Sequence, residues 1–201
     1  MKYLITAIIS YLLGSINTAY LFGKAHGMDI REKGSKNAGA SNVNVNFGWA
    51  AGIFTGLCDM AKAIIAMKLC GHLYPDSEII PYLAGAMTIV GHIFPFYMGF
   101  KGGKGFASYL GMMIGIDLKF GLIIVALTII VAFASDYVAV ATLTIIVIVP
   151  LYFIFTKADI AIILIMIAIS LLIGYKHKIN IQRLMKHEEM GILDRRSKKA
   201  K

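Results

Sequence analysis

Asp29-Ile-Arg-Glu-Lys-Gly-Ser-Lys-Asn-Ala-Gly-Ala-Ser-Asn-Val-Asn-Val-Asn-Phe-Gly48 is a polar stretch set between two almost wholly apolar runs, Tyr3 to Gly23 and Trp49 to Leu73. Each flank is long enough to cross a hydrocarbon core, which takes about 20 helical residues. The stretch carries four asparagines, two serines and three basic side chains. A simple tether between helices needs none of these, and a disordered linker would favour Pro, Glu and Ser. Its composition admits two readings: a loop that wraps an anion with hydroxyl, amide and backbone N–H groups, or one whose Asn and Ser side chains cap the next helix and bond their own backbone.

The rest of the chain repeats the alternation. Of 201 residues, 58% are hydrophobic and 15% charged, with mean hydropathy +0.75; soluble domains are about 25% charged. This places the chain among all-α polytopic membrane proteins. Further apolar runs are expected at Ile79 to Met98, Phe106 to Ile116, Phe120 to Ala134, Tyr137 to Thr156 and Ile160 to Tyr175. Asp117 and Lys119 interrupt the pattern, as do Ser135-Asp136 and Lys157 with Asp159. Seven hydrophobic helices result, the fourth short, with five or six full spans as the alternative. The whole of 1–201 reads as one integral-membrane domain ending in an amphipathic and basic tail from 176 on. No clean small-x-small cleavage site follows the first run, so it is read as retained.

Charge orients the chain. The formal net charge is +9, and nine of the twenty Lys and Arg lie between Lys176 and Lys201. Lys24, Arg31, Lys33 and Lys36 follow the first run and Lys101 and Lys104 the third, whereas the opposite side receives Lys2, Lys119 and Lys157. Basic short loops stay in the cytoplasm, so the N-terminus is expected outside, the C-terminus inside, and all three polar segments on the cytoplasmic face. Cations abutting apolar helices suit lipid headgroups or a small anionic substrate and argue against nucleic acid, which needs a broad solvated basic surface.

Other groups narrow the chemistry. Lys101-Gly102-Gly103-Lys104-Gly105 looks like a phosphate loop, but a nucleotide-binding loop would need Gly where Met98 stands and a hydroxyl at Gly105. A solvated basic turn is the plain alternative. Asp59 and Lys62 lie one helical turn apart inside an apolar run and are expected to pair within the bundle. His92 reads as a helix-end hydrogen-bonder. His177 and Asn180 share a face, and Lys176, Asn180, Arg183 and His187 form a polar stripe over Ile179, Ile181 and Leu184, as on an interfacial helix. Cys58 and Cys70 are roughly 18 Å apart on one helix, beyond disulfide reach. No cluster has metal-ligand spacing.

Three segments together resemble the bacterial acyl-phosphate:glycerol-3-phosphate acyltransferases, the PlsY family. Asp29-Ile-Arg with Gly34-Ser35-Lys36-Asn37-Ala38-Gly39-Ala40-Ser41-Asn42-Val43 resembles its first signature. Gly91-His92-x-Phe94-Pro95 with Phe100-Lys101-Gly102-Gly103-Lys104-Gly105 resembles the second, and His177-x-x-Asn180-Ile181-x-Arg183-Leu184 the third. Asp59-x-x-Lys62 also fits. The resemblance covers essentially the whole chain and implies transfer of a fatty acyl group from acyl phosphate to the 1-hydroxyl of glycerol 3-phosphate, at a cytoplasm-facing site in the bacterial cell membrane. Ser35, His177 and Asn180 are the implied catalytic residues. Arg31, Lys36, Asn37, Gly39, Asn42, Lys101, Gly102, Gly103, Lys104 and Thr142 are the implied substrate-binding ones. No cofactor or metal is called for, and membrane lipid is the implied surrounding partner.

The chain departs from the family pattern at two places. Asn44-Val45 stand where Leu-Arg is usual, and Asp136 where a basic residue is common. A small anion transporter is the competing reading from another class, but the chain shows neither an internal repeat nor paired broken helices. The His-x-x-x-x-Asp dyad of acyl-CoA-dependent acyltransferases is absent, since Arg31, Ser77, Tyr97, Gln182 and Ile192 stand five residues after the histidines.

Overall fold

The computed structural model describes residues 1–192, all of whose regular elements are helical. The basic run 193–201, the end of the expected tail, lies outside the described residues. Two compact units are distinguished, Met1–Gly121 and one beginning at Leu122.

The first unit contains α1 (Lys2–Ser15), α2 (Thr18–Ala25), a 3-10 turn at Ile30–Glu32, α3 (Ala40–Phe47), α4 (Trp49–Leu73), α5 (Ile79–Ile93), a second 3-10 turn at Phe96–Met98, and α6 (Phe106–Ile116). α7 (Leu118–Ser135), α8 (Val138–Phe155), α9 (Ile160–Lys176) and α10 (Lys178–Met185) follow. Among the described residues, five segments are long and apolar enough to cross a membrane: Lys2–Ala25, Trp49–Leu73, Ile79–Met98, Leu118–Ser135 and Val138–Phe155. α9 and α10, bent by 55° at their joint, make a sixth if taken as one span, and Phe106–Ile116 is a shorter apolar helix.

Burial on α1 is reversed from a soluble helix. Thr6, Ser10 and Gly14 are buried while Leu4, Ile8 and Leu12 are exposed. In lipid the tails are as apolar as leucine, so small residues take the helix interface because they let backbones approach. α1 packs along α5 in this way. A Cβ on Gly14 would lie 2.7 Å from Thr88 Cα, and one on Gly91 would lie 2.8 Å from the Ser15 amide nitrogen. Neither position has room for a side chain.

The first run is not one continuous helix. Ile16 (ψ 99°) and Asn17 (φ −97°, ψ 103°) are extended, and Asn17 caps α2 by accepting the Tyr20 N–H at 2.9 Å. Asparagine's own amide competes with the helix ladder, so it favours a cap over a helix interior. The break exposes the Ile16 carbonyl, which takes a hydrogen bond from Lys62 Nζ at 2.9 Å. The fifth apolar run starts earlier than its charge pattern suggests, at Leu118. Asp117 accepts the Phe120 N–H at 2.7 Å and so starts the helix it was expected to interrupt. Cys58 and Cys70 are free thiols, with Cys70 Sγ 3.6 Å from Ser10 Oγ.

Candidate active site

In the first unit the site is built from two loops and the break in the first span. Asp29 caps the 3-10 turn by accepting the Arg31 N–H at 2.9 Å, and the Arg31 guanidinium grips the same carboxylate through Nε (3.0 Å) and Nη2 (2.7 Å). Arg31 Nη1 donates to the Met98 carbonyl at 2.8 Å, and the guanidinium lies 5.0 Å from the Tyr20 ring centroid. Three of its five N–H groups are thus engaged, two within the first loop and one tying it to the second. Hydrogen bonding to Arg31 holds the Asp29 carboxyl down at about 2, and Asp29 in turn raises the Arg31 pKa.

Ser35 lies exposed between Gly34 (φ 55°) and Lys36 (φ 59°). These two left-handed positions flank Ser35 and turn the chain sharply, and glycine meets the first without strain. The turn is held from inside by Asn42. Its Oδ1 accepts the Ser35 backbone N–H at 2.8 Å and the Asn46 amide at 3.2 Å, while its Nδ2 donates to the carbonyls of Ile30 at 2.8 Å and Lys33 at 3.0 Å. A primary amide has two donors and two acceptor sites, so Asn42 is fully committed to the loop and acts on any ligand by shaping it. Gly39 caps α3 and is buried, and Asn37 is half-buried beside it.

The second loop doubles back along the end of α5. Gly102 N–H donates to the Ile93 carbonyl and Gly103 N–H to the His92 carbonyl, each at 3.1 Å, satisfying helix-terminal acceptors. Gly103 is buried between the two loops. A Cβ there would strike His92 Nε2 and come within 2.7 Å of the Ala38 carbonyl oxygen. That same carbonyl accepts from Asn17 Nδ2 at 3.2 Å, and the Asn17 N–H donates to the Tyr97 hydroxyl at 3.2 Å. Lys104 is half-buried and Lys101 exposed.

Beneath this surface Lys62 Nζ lies 2.9 Å from Asp59 Oδ1, forming the expected ion pair, and 2.9 Å from His92 Nδ1. Asp59, Lys62 and His92 are all buried. The sequence reading of His92 as a helix-end hydrogen-bonder omits its place in this cluster. Asn17, a lone amide in an apolar run, is a second residue whose role the sequence reading missed; its polarity was the available signal.

In the second unit α8 and α9 run antiparallel through a short turn, and a Cβ on Gly174 would lie 3.4 Å from Ile146. Thr142, one turn before Ile146, and His177, just after Gly174, therefore come to the same end of this hairpin. Thr142 is buried and its hydroxyl donates to the Val138 carbonyl at 3.0 Å. His177, at the α9–α10 joint, is buried with Nδ1 2.8 Å from the Ile173 carbonyl. An imidazole nitrogen facing a carbonyl carries the proton, so in the neutral ring Nε2 is the basic nitrogen.

Asn180 Nδ2 donates to Glu189 Oε1 at 2.7 Å. That contact corrects the expected polar stripe. Asn180 is buried, Ile179 and Met185 are 51% and 79% exposed, and His187 lies beyond the helix at φ 56°. Glu189 draws the asparagine inward, and an exposed apolar face is favourable at a membrane surface. Nothing in the sequence reading marked Glu189. At the same end, the Ile192 N–H donates to the Asp136 carbonyl at 2.8 Å, and a Cβ on Gly191 would meet the Asp136 carboxylate. Asp136 thus packs against the chain that follows α10. Among the described residues no group of three or more His, Cys, Asp or Glu side chains is placed to hold a metal ion.

Ammonium groups and turn amides in the first unit suit phosphate oxygens, and a basic imidazole beside an amide in the second suits a hydroxyl acceptor. Residues 4–187 match the family model described as glycerol-3-phosphate acyltransferase. The glycerol-3-phosphate acyltransferase of Desulfotalea psychrophila is 41% identical over 183 residues, covering 89% of this chain and 92% of that protein. Glycerol-3-phosphate acyltransferase 1 of Oceanobacillus iheyensis is 36% identical over the full length of both. The fold matches the crystal structure of PlsY (YgiH), an integral membrane glycerol 3-phosphate acyltransferase, in its glycerol 3-phosphate form, with a TM-score of 0.89 at 29% identity over 96% of each chain. The lysophosphatidic acid form of PlsY matches with a TM-score of 0.86 at 28% identity over 95% of each chain. This chain belongs to the PlsY family of integral membrane glycerol-3-phosphate acyltransferases.

Proposed function

We propose that this chain moves a fatty acyl group from acyl phosphate to the 1-hydroxyl of glycerol 3-phosphate, giving lysophosphatidic acid and inorganic phosphate. The acceptor oxygen forms the new bond to the acyl carbon, the bond from that carbon to the phosphate oxygen breaks, and the departing phosphate takes the hydroxyl proton. Phosphate is a good leaving group, so the step needs no strong protein base. Ser35 stabilises the oxyanion of the tetrahedral intermediate. Arg31, Lys36, Lys101 and Lys104, with Asn37, and with Gly39, Gly102 and Gly103 giving close approach, hold the two phosphates. His177 and Asn180 place the acceptor hydroxyl, with Thr142 on the same end of their hairpin.

The observation that carries this reading is the contact of Gly103 with Ala38, which joins the Ser35 loop and the Lys101–Lys104 loop into one polar surface. The glycerol 3-phosphate and lysophosphatidic acid forms of the related PlsY support the choice of acceptor and product. The acyl tail lies between helices or in lipid. The topology that suits this is seven hydrophobic helices with the fourth short, the N-terminus outside and the C-terminus in the bacterial cytoplasm, with residues 1–201 acting as one domain.

The test is purified protein in detergent or lipid with acyl phosphate and glycerol 3-phosphate, following phosphate and lysophosphatidate. Phosphate release that needs the acceptor, and is lost in Ser35→Ala and Lys104→Ala, supports the assignment. Protein that binds glycerol 3-phosphate without acylating it overturns it.

A further inference from the structure

Lys62 has three ammonium protons and three neighbours at hydrogen-bond distance: Asp59 Oδ1, the Ile16 carbonyl and His92 Nδ1, each at 2.9 Å. The carboxylate and the carbonyl accept only, and an ammonium donates only. The third proton therefore goes to His92 Nδ1. An imidazole that accepts at Nδ1 is neutral and carries its proton on Nε2. Three helices contribute to fixing this tautomer: the break after α1 supplies Ile16, α4 supplies Lys62 and Asp59, and α5 supplies His92.

The Nε2–H points at the phosphate loop. A Cβ on Gly103 would strike Nε2 itself, so a side chain at that position would cover the donor. The ring as a whole is 3% exposed. Among the described residues Nε2 makes no hydrogen bond, because the bonds of His92 are made through Nδ1 and its backbone carbonyl. A ring N–H that faces the backbone of a loop is placed to donate to a ligand atom held by that loop.

We propose that His92 is a substrate-binding residue, donating its Nε2–H to a phosphate oxygen of the ligand held by the Lys101–Lys104 loop. This rests on the acyltransferase reading for the ligand's identity, while the donor geometry stands on its own. The Asp59–Lys62 pair then has a second task beyond stability. It holds the imidazole in the tautomer that donates at the loop and places a cation one bond behind the donor. The role also accounts for Gly103, where any side chain would strike Nε2.

Two amide substitutions separate this role from a structural one. His92→Gln puts an amide N–H2 near the Nε2 position and gives up the acceptor for Lys62; His92→Asn puts an amide oxygen near Nδ1 and gives up the donor at the loop. Calorimetry of the full-length protein in detergent, with glycerol 3-phosphate and separately with inorganic phosphate, reads the donor directly. Weakening of roughly ten- to a hundredfold in His92→Asn, with His92→Gln retaining tighter binding than His92→Asn, supports the proposal, since hydrogen bonds to charged groups are of that size. Binding in His92→Asn equal to the wild type overturns it, as does His92→Gln binding no better than His92→Asn. A wild type that binds neither ligand overturns it too. Acyl transfer is assayed on the same preparations. A wild type that binds phosphate through His92 but transfers no acyl group removes the acyltransferase reading and leaves the donor assignment intact.

Discussion

Asn42 Oδ1 accepts the backbone N–H of Ser35 at 2.8 Å, so Ser35 is placed by a side chain seven positions further on. With its two donors on Ile30 and Lys33, Asn42 holds the loop at three points. Asn42→Ala removes all three contacts and leaves the buried Ile30 carbonyl unpaired, which costs about 1–3 kcal/mol. The expected outcome is a lower melting temperature in detergent together with a fall in kcat/KM. Asn42→Asp is expected to be no better, because a carboxylate cannot donate to the two carbonyls. A variant with wild-type melting and kinetics would show that the loop keeps its shape unaided.

The Asp59–Lys62 pair is buried and shares its cation with His92 and Ile16. Truncating one member strands the other's charge, so Lys62→Met is expected to destabilise by about 3–5 kcal/mol. Replacing both, as Asp59→Leu with Lys62→Met, leaves no stranded charge and is expected to recover part of that loss. Thermal unfolding of the two single variants and the double variant measures the coupling. Additive losses across the cycle would show that the two side chains do not act as a pair.

Much of the helical layout is legible in the sequence, and the exceptions have particular causes. Trp49–Leu73 and Phe106–Ile116 are found with the limits their flanks suggest, because Gly48, Pro75, Gly105 and Asp117 punctuate the apolar pattern. The break at Ile16 and Asn17 is invisible to hydropathy: one amide does not shift the average of an apolar run, yet it caps a helix. At the site, Ser35, Lys101 and Lys104 stand out by type and context. Asn42 stands out too, but whether an amide meets a ligand or its own loop depends on which backbone groups fold around it. Periodicity placed Asn180 on an outward polar stripe. Its burial depends on Glu189, whose approach follows from the turn after α10 and not from any repeat.

Asp29 offers a pH test with a defined sign. Hydrogen bonding to Arg31 lowers its carboxyl from 3.8 to about 2 in the folded protein. A depressed folded value means the unfolded state binds more protons, so the clip's contribution is complete above about pH 5 and is lost as pH falls through the window between 3.8 and about 2. The wild type is expected to melt above Asp29→Asn near neutral pH, with the gap closing across that window. Melting in detergent at stepped pH measures it. A gap that persists unchanged down to pH ~2 would assign the difference to packing instead of charge.

Val45 is where this chain departs from its family in the loop that matters most. α3 places Val45 three residues after Asn42, hence on a neighbouring part of the helix surface, one turn from the side chain that holds the Ser35 amide. An arginine there adds a planar fork suited to phosphate, which valine cannot replace. Lys36 supplies a cation in the same stretch, but on a backbone at φ 59°, the conformation that glycine accepts most readily. If the acceptor is glycerol 3-phosphate, Val45→Arg is expected to raise kcat/KM roughly tenfold, the worth of a charge-assisted hydrogen bond, mostly through KM. In that background Lys36→Gly is then expected to be tolerated, because the guanidinium takes over the ammonium's task. Steady-state kinetics with varied glycerol 3-phosphate decides the matter. A Val45→Arg protein with lower kcat/KM for this acceptor would mean that the apolar position is part of the site as it stands, and that this chain has turned to a different acceptor.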